Sequence, residues 1–197
     1  MTARVVVGVS GASGACLGQA VLEILRAIGA QTHLVISAGA ERTIAHELGP
    51  DGRRSIEVLA TMSHRSDDLG APIASGSFAV DAMIVAPCSM RTLSSIAHGT
   101  GDSLLARAAD VTLKERRRLV LLAREAPLHL GHLEAMVAVT RMGAIVSPPV
   151  PTFYARMTGL DDMVRQIAAR AVASAGLDPG PHLQRWAGMD ATTTGAG

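Results

Sequence analysis

Short apolar runs alternate along the chain with longer stretches in which apolar residues recur every three or four positions. The runs read as strands and the periodic stretches as helices. Residues 4–9 form a β-branched run that predicts a buried strand, followed by a helix over residues 14–28 closed by Gly29. A second strand is expected over residues 32–37, then a helical stretch through His46 and Glu47. Residues 50–54 read as a polar break, residues 58–63 as a short strand, and residues 65–77 as a loop rich in Asp, Gly, Pro and Ser. Residues 82–86 predict another buried strand, leading into a helix that ends near His98. Further elements are a helix over residues 103–113, a strand over 118–123, a helix over 129–142 ended by Gly143, and a short strand over 144–146. A proline-rich run at residues 148–151 precedes the last helix, over residues 160–175. Beyond Gly176 the pattern is loop-like apart from Trp186, and residues 191–197 are expected to be disordered.

Strands that alternate with helices imply an α/β fold: a Rossmann-like, three-layer arrangement with a mostly parallel sheet and helices on both faces. One domain is expected over residues 1–177, with a C-terminal tail over 178–197. Ligands in such folds sit at the carboxyl ends of the strands. Residues 10–15, Ser37, 87–92, 124–125 and 147–151 follow predicted strand ends and are expected to converge.

Length and composition refine this picture. A chain of 197 residues suits a single core, and with 48% apolar but 2% aromatic residues that core must be aliphatic. So large an apolar share is also expected to serve subunit contacts. A net charge of +1 argues against a dedicated nucleic-acid binder. The two cysteines, Cys16 and Cys88, fit a reducing compartment and no disulfide framework. The first apolar run is too short and glycine-broken for a membrane span, and reads better as strand and turn than as a signal peptide, so a cytoplasmic location is expected.

The strand edges carry the candidate chemistry. Gly11, Ala12, Ser13 and Gly14 form a small-residue loop at a helix start, where free N–H groups and the helix dipole favour a phosphate. The spacing is not the G-x-G-x-x-G of dinucleotide sites, Ser13 adds a hydroxyl, and the bland alternative is a tight turn without ligand. Ser89, Met90, Arg91 and Thr92 open a second helix, with simple capping by Ser89 as the alternative. Arg124 can grip a phosphate and Glu125 can move a proton, unless the two form only a surface ion pair. Lys114 starts a basic run whose ordinary reading is a solvated helix end. Tyr154, Arg170 and Glu47 each have an equally ordinary surface reading. His129 and His132 lack acidic or thiol companions for a metal, and Asp67-Asp68 and Asp161-Asp162 lack the further Asp of a magnesium–diphosphate motif. Cys88 reads better as a buried thiol than as a nucleophile.

Several motifs together resemble one family. G-A-S-G-A at residues 11–15, A-S-G-S at 74–77, P-C-S-M-R-T-L at 87–93, R-A-A-D-V-T-L-K-E-R-R at 107–117, R-E-A-P at 124–127 and P-P-V-P-T-F-Y at 148–154 resemble the UbiX-type flavin prenyltransferases. The likeness is to the branch once described as the small subunit of aromatic-acid decarboxylases. It implies a metal-independent enzyme that joins a dimethylallyl group from dimethylallyl phosphate to N5 and C6 of reduced FMN. The product, prenylated FMN, would serve a separate UbiD-type decarboxylase. By the same resemblance Gly11, Ala12, Ser13, Ser37, Ser89, Met90, Arg91, Thr92 and Arg124 match FMN contacts. Lys114, Arg124, Tyr154 and Arg170 match the groups that hold the prenyl phosphate. Glu125, with Ser13 beside it, matches a proton relay to the leaving phosphate, and Glu47 matches a residue of the later ring closure. Trp186 matches an aromatic that covers the site, on its own or a neighbouring subunit. The family is usually dodecameric, with sites built from neighbouring subunits, which implies a homo-oligomer here.

The sequence departs from the family at Arg118 and Ala123, where proline is common, and at Ser103, where asparagine is common. These read as scaffold positions. Two rivals remain at this level. Flavin-dependent cysteine decarboxylases of the same fold carry an asparagine where this chain has Arg91 and need a histidine within residues 71–77, where there is none. A non-catalytic FMN-binding accessory subunit would not need the Lys114, Arg124, Tyr154 and Arg170 set.

Overall fold

The computed structural model describes residues 2–189. The expected disorder of residues 191–197 therefore falls outside the described residues. Six strands form one sheet: β1 (Arg4–Val9), β2 (Gln31–Ile36), β3 (Met62–His64), β4 (Ala82–Cys88), β5 (Arg118–Ala123) and β6 (Ile145–Val146). All neighbours pair in parallel, in the order β3-β2-β1-β4-β5-β6. Among the described residues seven α-helices accompany them: α1 (Ala15–Ala27), α2 (Ala38–Glu47), α3 (Gly52–Glu57), α4 (Met90–His98), α5 (Leu104–Lys114), α6 (Leu130–Arg141) and α7 (Leu160–Ser174).

The central strands are buried on both faces, so their sequences run apolar without alternation. Val5, Val7 and Val9 of β1 join the side chains of α1, α2, α3 and α7 in one cluster. Val6 joins α4, α5 and α6 in a second cluster on the opposite face. The chain order reverses between β1 and β4, and a crevice at the carboxyl ends of those two strands is where ligands of open α/β sheets bind.

Two local expectations are corrected. The polar stretch after Pro50 is not a break, because Gly52–Glu57 forms α3. Ile56 anchors α3 in the core with no exposed surface. Arg53 ties it down by donating to Glu57 at 3.0 Å and to Glu41 at 2.5 Å. The strand expected over residues 58–63 shrinks to Met62–His64, since Val58 ends α3 instead. The long loop before β4 also holds a short 3-10 turn, Pro72–Ala74, whose Ile73 is buried. Ser103 caps α5 by accepting from the Ala106 amide at 3.3 Å, which accounts for its scaffold role.

Candidate active site

Four loops meet at the carboxyl edge of the sheet. Ser10, fully buried at the end of β1, stitches two of them together. Its amide and hydroxyl both donate to the Pro87 carbonyl, at 3.1 and 3.0 Å, while the hydroxyl accepts from the Ser89 amide at 2.7 Å. The loop after β1 also presses on the start of α2. A β-carbon at Gly11 would lie 2.8 Å from the Gly39 carbonyl carbon, so only glycine permits this approach. The loop after β5 joins through the Arg124 amide, which donates to the Cys88 carbonyl at 3.0 Å.

Two helix N-termini open on this edge. Ser37 caps α2 by accepting from the Ala40 amide at 3.3 Å. Ser89 caps α4 by accepting from the Thr92 amide at 3.3 Å, and donates to the Thr92 hydroxyl at 3.1 Å. Each cap uses one hydroxyl and leaves the rest of the first helical turn directed outward. Gly11, Ala12, Ser13, Ser37, Ser89, Met90, Arg91, Thr92 and Arg124 thus share one edge. The Met90 side chain turns inward and is buried in the core, leaving its backbone at the edge. Arg91 is exposed and lines an open cleft of about 680 Å³ with His98 of α4, His129 at the N-cap of α6 and His132 within α6. Helix dipoles, hydroxyls and two guanidinium groups on one edge make a donor set for an anion, and the phosphate of FMN fits that chemistry.

Glu47 changes the expected use of the first loop. From the end of α2 its carboxylate accepts from the Gly14 amide at 2.9 Å and the Ala15 amide at 2.8 Å. It therefore occupies the α1 N-terminus, where the sequence alone suggested a phosphate. Burial works against its ionisation. The Ala15 amide, the Ser13 hydroxyl, the Gly14 amide and the nearby Arg124 charge outweigh that, and hold the carboxyl below its ordinary value. Glu47 is therefore no ordinary surface acid, since it holds two backbone amides of the first loop. Glu125 is exposed beside Arg124 and accepts from the Ala126 amide at 3.1 Å.

The remaining candidates lie elsewhere in the chain. Lys114 ends α5, which runs back to the start of β5, so it sits at the amino edge of the sheet, opposite Arg124. Arg170 is exposed on α7, one turn before the helix ends next to Arg118 of the same amino edge. Tyr154 lies in a 3-10 turn, Phe153–Ala155, and Trp186 packs edge-on against it with ring centroids 5.1 Å apart. Both rings stay about half exposed. Burial pushes the Cys88 thiol up to about 12, which leaves it a packing residue. Among the described residues, no group of three or more His, Cys, Asp and Glu is placed to hold a metal ion.

Sequence reasoning put Ser10 at this edge, within residues 10–15, but read no role for it. Its signal was present: a hydroxyl ends an otherwise apolar strand, and a buried polar group needs partners. Gly39 was missed, because its role depends on a loop that is remote in sequence.

The fold and the donor-rich edge define a flavoprotein, and the family model described as Flavoprotein matches residues 1–172. Within that class the chain belongs to the UbiX-type flavin prenyltransferases. The flavin prenyltransferase UbiX of Neisseria meningitidis serogroup B is 51% identical to it over 189 residues, covering 96% of this chain and 99% of that protein. Among solved structures, AnUbiX in complex with FMN and dimethylallyl pyrophosphate is 47% identical with a TM-score of 0.91, covering 95% of this chain and 99% of that one. A dodecameric FMN-dependent Ubix-like decarboxylase from Escherichia coli O157:H7 is also 47% identical, with a TM-score of 0.89 and coverage of 94% and 100%. Among the described residues, no helix is long and apolar enough to cross a membrane.

Proposed function

We propose that this flavin prenyltransferase joins a dimethylallyl group from dimethylallyl phosphate to N5 and C6 of reduced FMN, and that the prenylated FMN then serves a UbiD-type decarboxylase. The observation that carries the reading is the meeting of two capped helix N-termini, at Ser37 and Ser89, with Arg124 at the β1–β4 crevice. Gly11, Ala12, Ser13, Ser37, Ser89, Met90, Arg91, Thr92 and Arg124 would hold the FMN. Reduced FMN supplies the electron-rich acceptor atoms.

The protein's part is to bind, orient and move protons. Departure of phosphate from an allylic carbon puts positive charge on carbon and negative charge on oxygen. Lys114, Arg124, Tyr154 and Arg170 would stabilise the oxygen. Glu125 would deliver a proton to the leaving phosphate, and Ser13 and Glu47 would act as one hydrogen-bonded unit near the first loop, with Glu47 serving the later ring closure. Holding both reactants together supplies much of the remaining rate. Lys114 and Arg124 lie at opposite edges of one chain, which supports a homo-oligomer in which neighbouring copies complete each site, as a dodecamer would allow.

The test is direct. Purified protein, reduced FMN and dimethylallyl phosphate, incubated without oxygen, should yield flavin heavier by one prenyl unit in mass spectrometry. The same assay with the diphosphate compares donors. Unmodified flavin with both donors would establish an FMN-binding accessory role instead.

A further inference from the structure

Lys114 is held in place by its surroundings. Its ammonium meets the carboxylate of Glu115 at 2.5 Å, and the pair lies against the backbone around Gly76. The fit there is tight. A β-carbon at Gly76 would fall 2.6 Å from Lys114 Nζ and 2.1 Å from Glu115 Oε1. No side chain can stand at position 76 while the pair keeps its place.

That backbone is itself anchored. Arg107 Nε donates to the Ala74 carbonyl at 3.2 Å. Arg117 donates through Nη2 to the Gly76 carbonyl at 2.9 Å and through Nη1 to the Phe78 carbonyl at 3.1 Å. The Arg4 guanidinium sits 4.7 Å over the Phe78 ring. Arg117 also closes α5, its amide donating to the Thr112 carbonyl at 2.9 Å. One turn therefore ends the helix that carries Lys114 and fixes the segment on which Lys114 rests. Exposed ion pairs add little to stability, so stability does not explain this construction. The hydrogen bond from Lys114 holds the Glu115 carboxyl below its ordinary value.

We propose that Glu115 and Gly76 are positioning residues for Lys114. The carboxylate takes one of the three ammonium N–H groups and the bare glycine backbone leaves room to seat the ion pair, so the other two N–H groups are directed to the donor phosphate. A lysine ordered beforehand loses less freedom when it binds. This inference rests on the reading in which Lys114 holds that phosphate.

Steady-state kinetics with dimethylallyl phosphate test it in five variants: Glu115→Gln, Glu115→Asp, Gly76→Ala, Lys114→Ala, and Lys114→Ala combined with Glu115→Gln. Glu115→Gln and Gly76→Ala should each raise the donor KM roughly five- to ten-fold. FMN affinity and melting temperature should stay at wild-type values, and Glu115→Asp should stay nearer to wild type in KM. In the Lys114→Ala background, Glu115→Gln should change nothing further. The inference is overturned if Lys114→Ala raises KM while Glu115→Gln leaves it within about two-fold. Additive effects in the double variant overturn it too. An unchanged KM in Lys114→Ala would remove both the inference and the underlying role of Lys114, which separates the two failures. Should Gly76→Ala not fold, the Glu115 variants decide.

Discussion

Glu47 shows how one side chain redirects a site. By accepting from the first amides of α1 it leaves the starts of α2 and α4 as the capped helix N-termini of this edge. Glu47→Ala removes an acceptor from two backbone amides and is expected to cost about 1 kcal/mol, read from urea denaturation. Its carboxyl is held below the ordinary 4.5, so the folded state binds its proton less readily than the unfolded chain. The stabilisation is therefore complete above about 4.5 and fades as pH falls through the lower folded value, and the gap between wild type and Glu47→Ala should narrow there. Residues such as Ser37 and Ser89 were legible in the sequence because a cap lies next to the strand end that precedes it. The bond from Glu47 to the first loop was not, because it spans 33 positions. No periodicity encodes such a contact.

At the scale of elements, the main strands and helices followed from periodicity, since each buries a face wide enough to leave a pattern. α3 escaped because Pro50, Gly52 and its charged residues resemble a turn, and one buried residue, Ile56, decides the matter. Between β2 and β3 lies a feature that no motif announced. His33 Nδ1 and His64 Nε2 are 2.9 Å apart, their rings stack at 5.2 Å, and Phe78 meets His33 edge-on. Burial, then the facing His64 and Arg4, push His33 down to about 4. Between pH 6.5 and about 4 the unfolded chain therefore binds a proton that the folded chain refuses. Stability should fall across that window on acidification, and thermal denaturation of His33→Gln should show a shallower slope.

For the whole molecule, Lys114 and Arg124 lie at opposite edges of the sheet, so the proposed site would draw them from different copies. Lys114→Ala and Arg124→Ala should each turn over far more slowly than wild type at a donor concentration near the wild-type KM. Co-expressed as mixed oligomers, they should regain roughly a quarter of wild-type turnover, because that share of sites draws both intact residues from different copies. No recovery would mean that one chain supplies both. The sequence placed both residues on element ends, but not on which other copy each would act, since a surface pattern does not name the surface it meets. The tail raises a different matter. Gln166 of α7 donates its side-chain amide to the Gln184 carbonyl at 2.7 Å and accepts from the Gln184 amide at 2.9 Å. A helix side chain here does the work of a neighbouring strand, and it reads only main chain. Position 184 is thereby released to evolve freely in its side chain, whereas position 166 carries, beside the buried Leu183 and the Tyr154–Trp186 contact, the information that places the segment around Gln184.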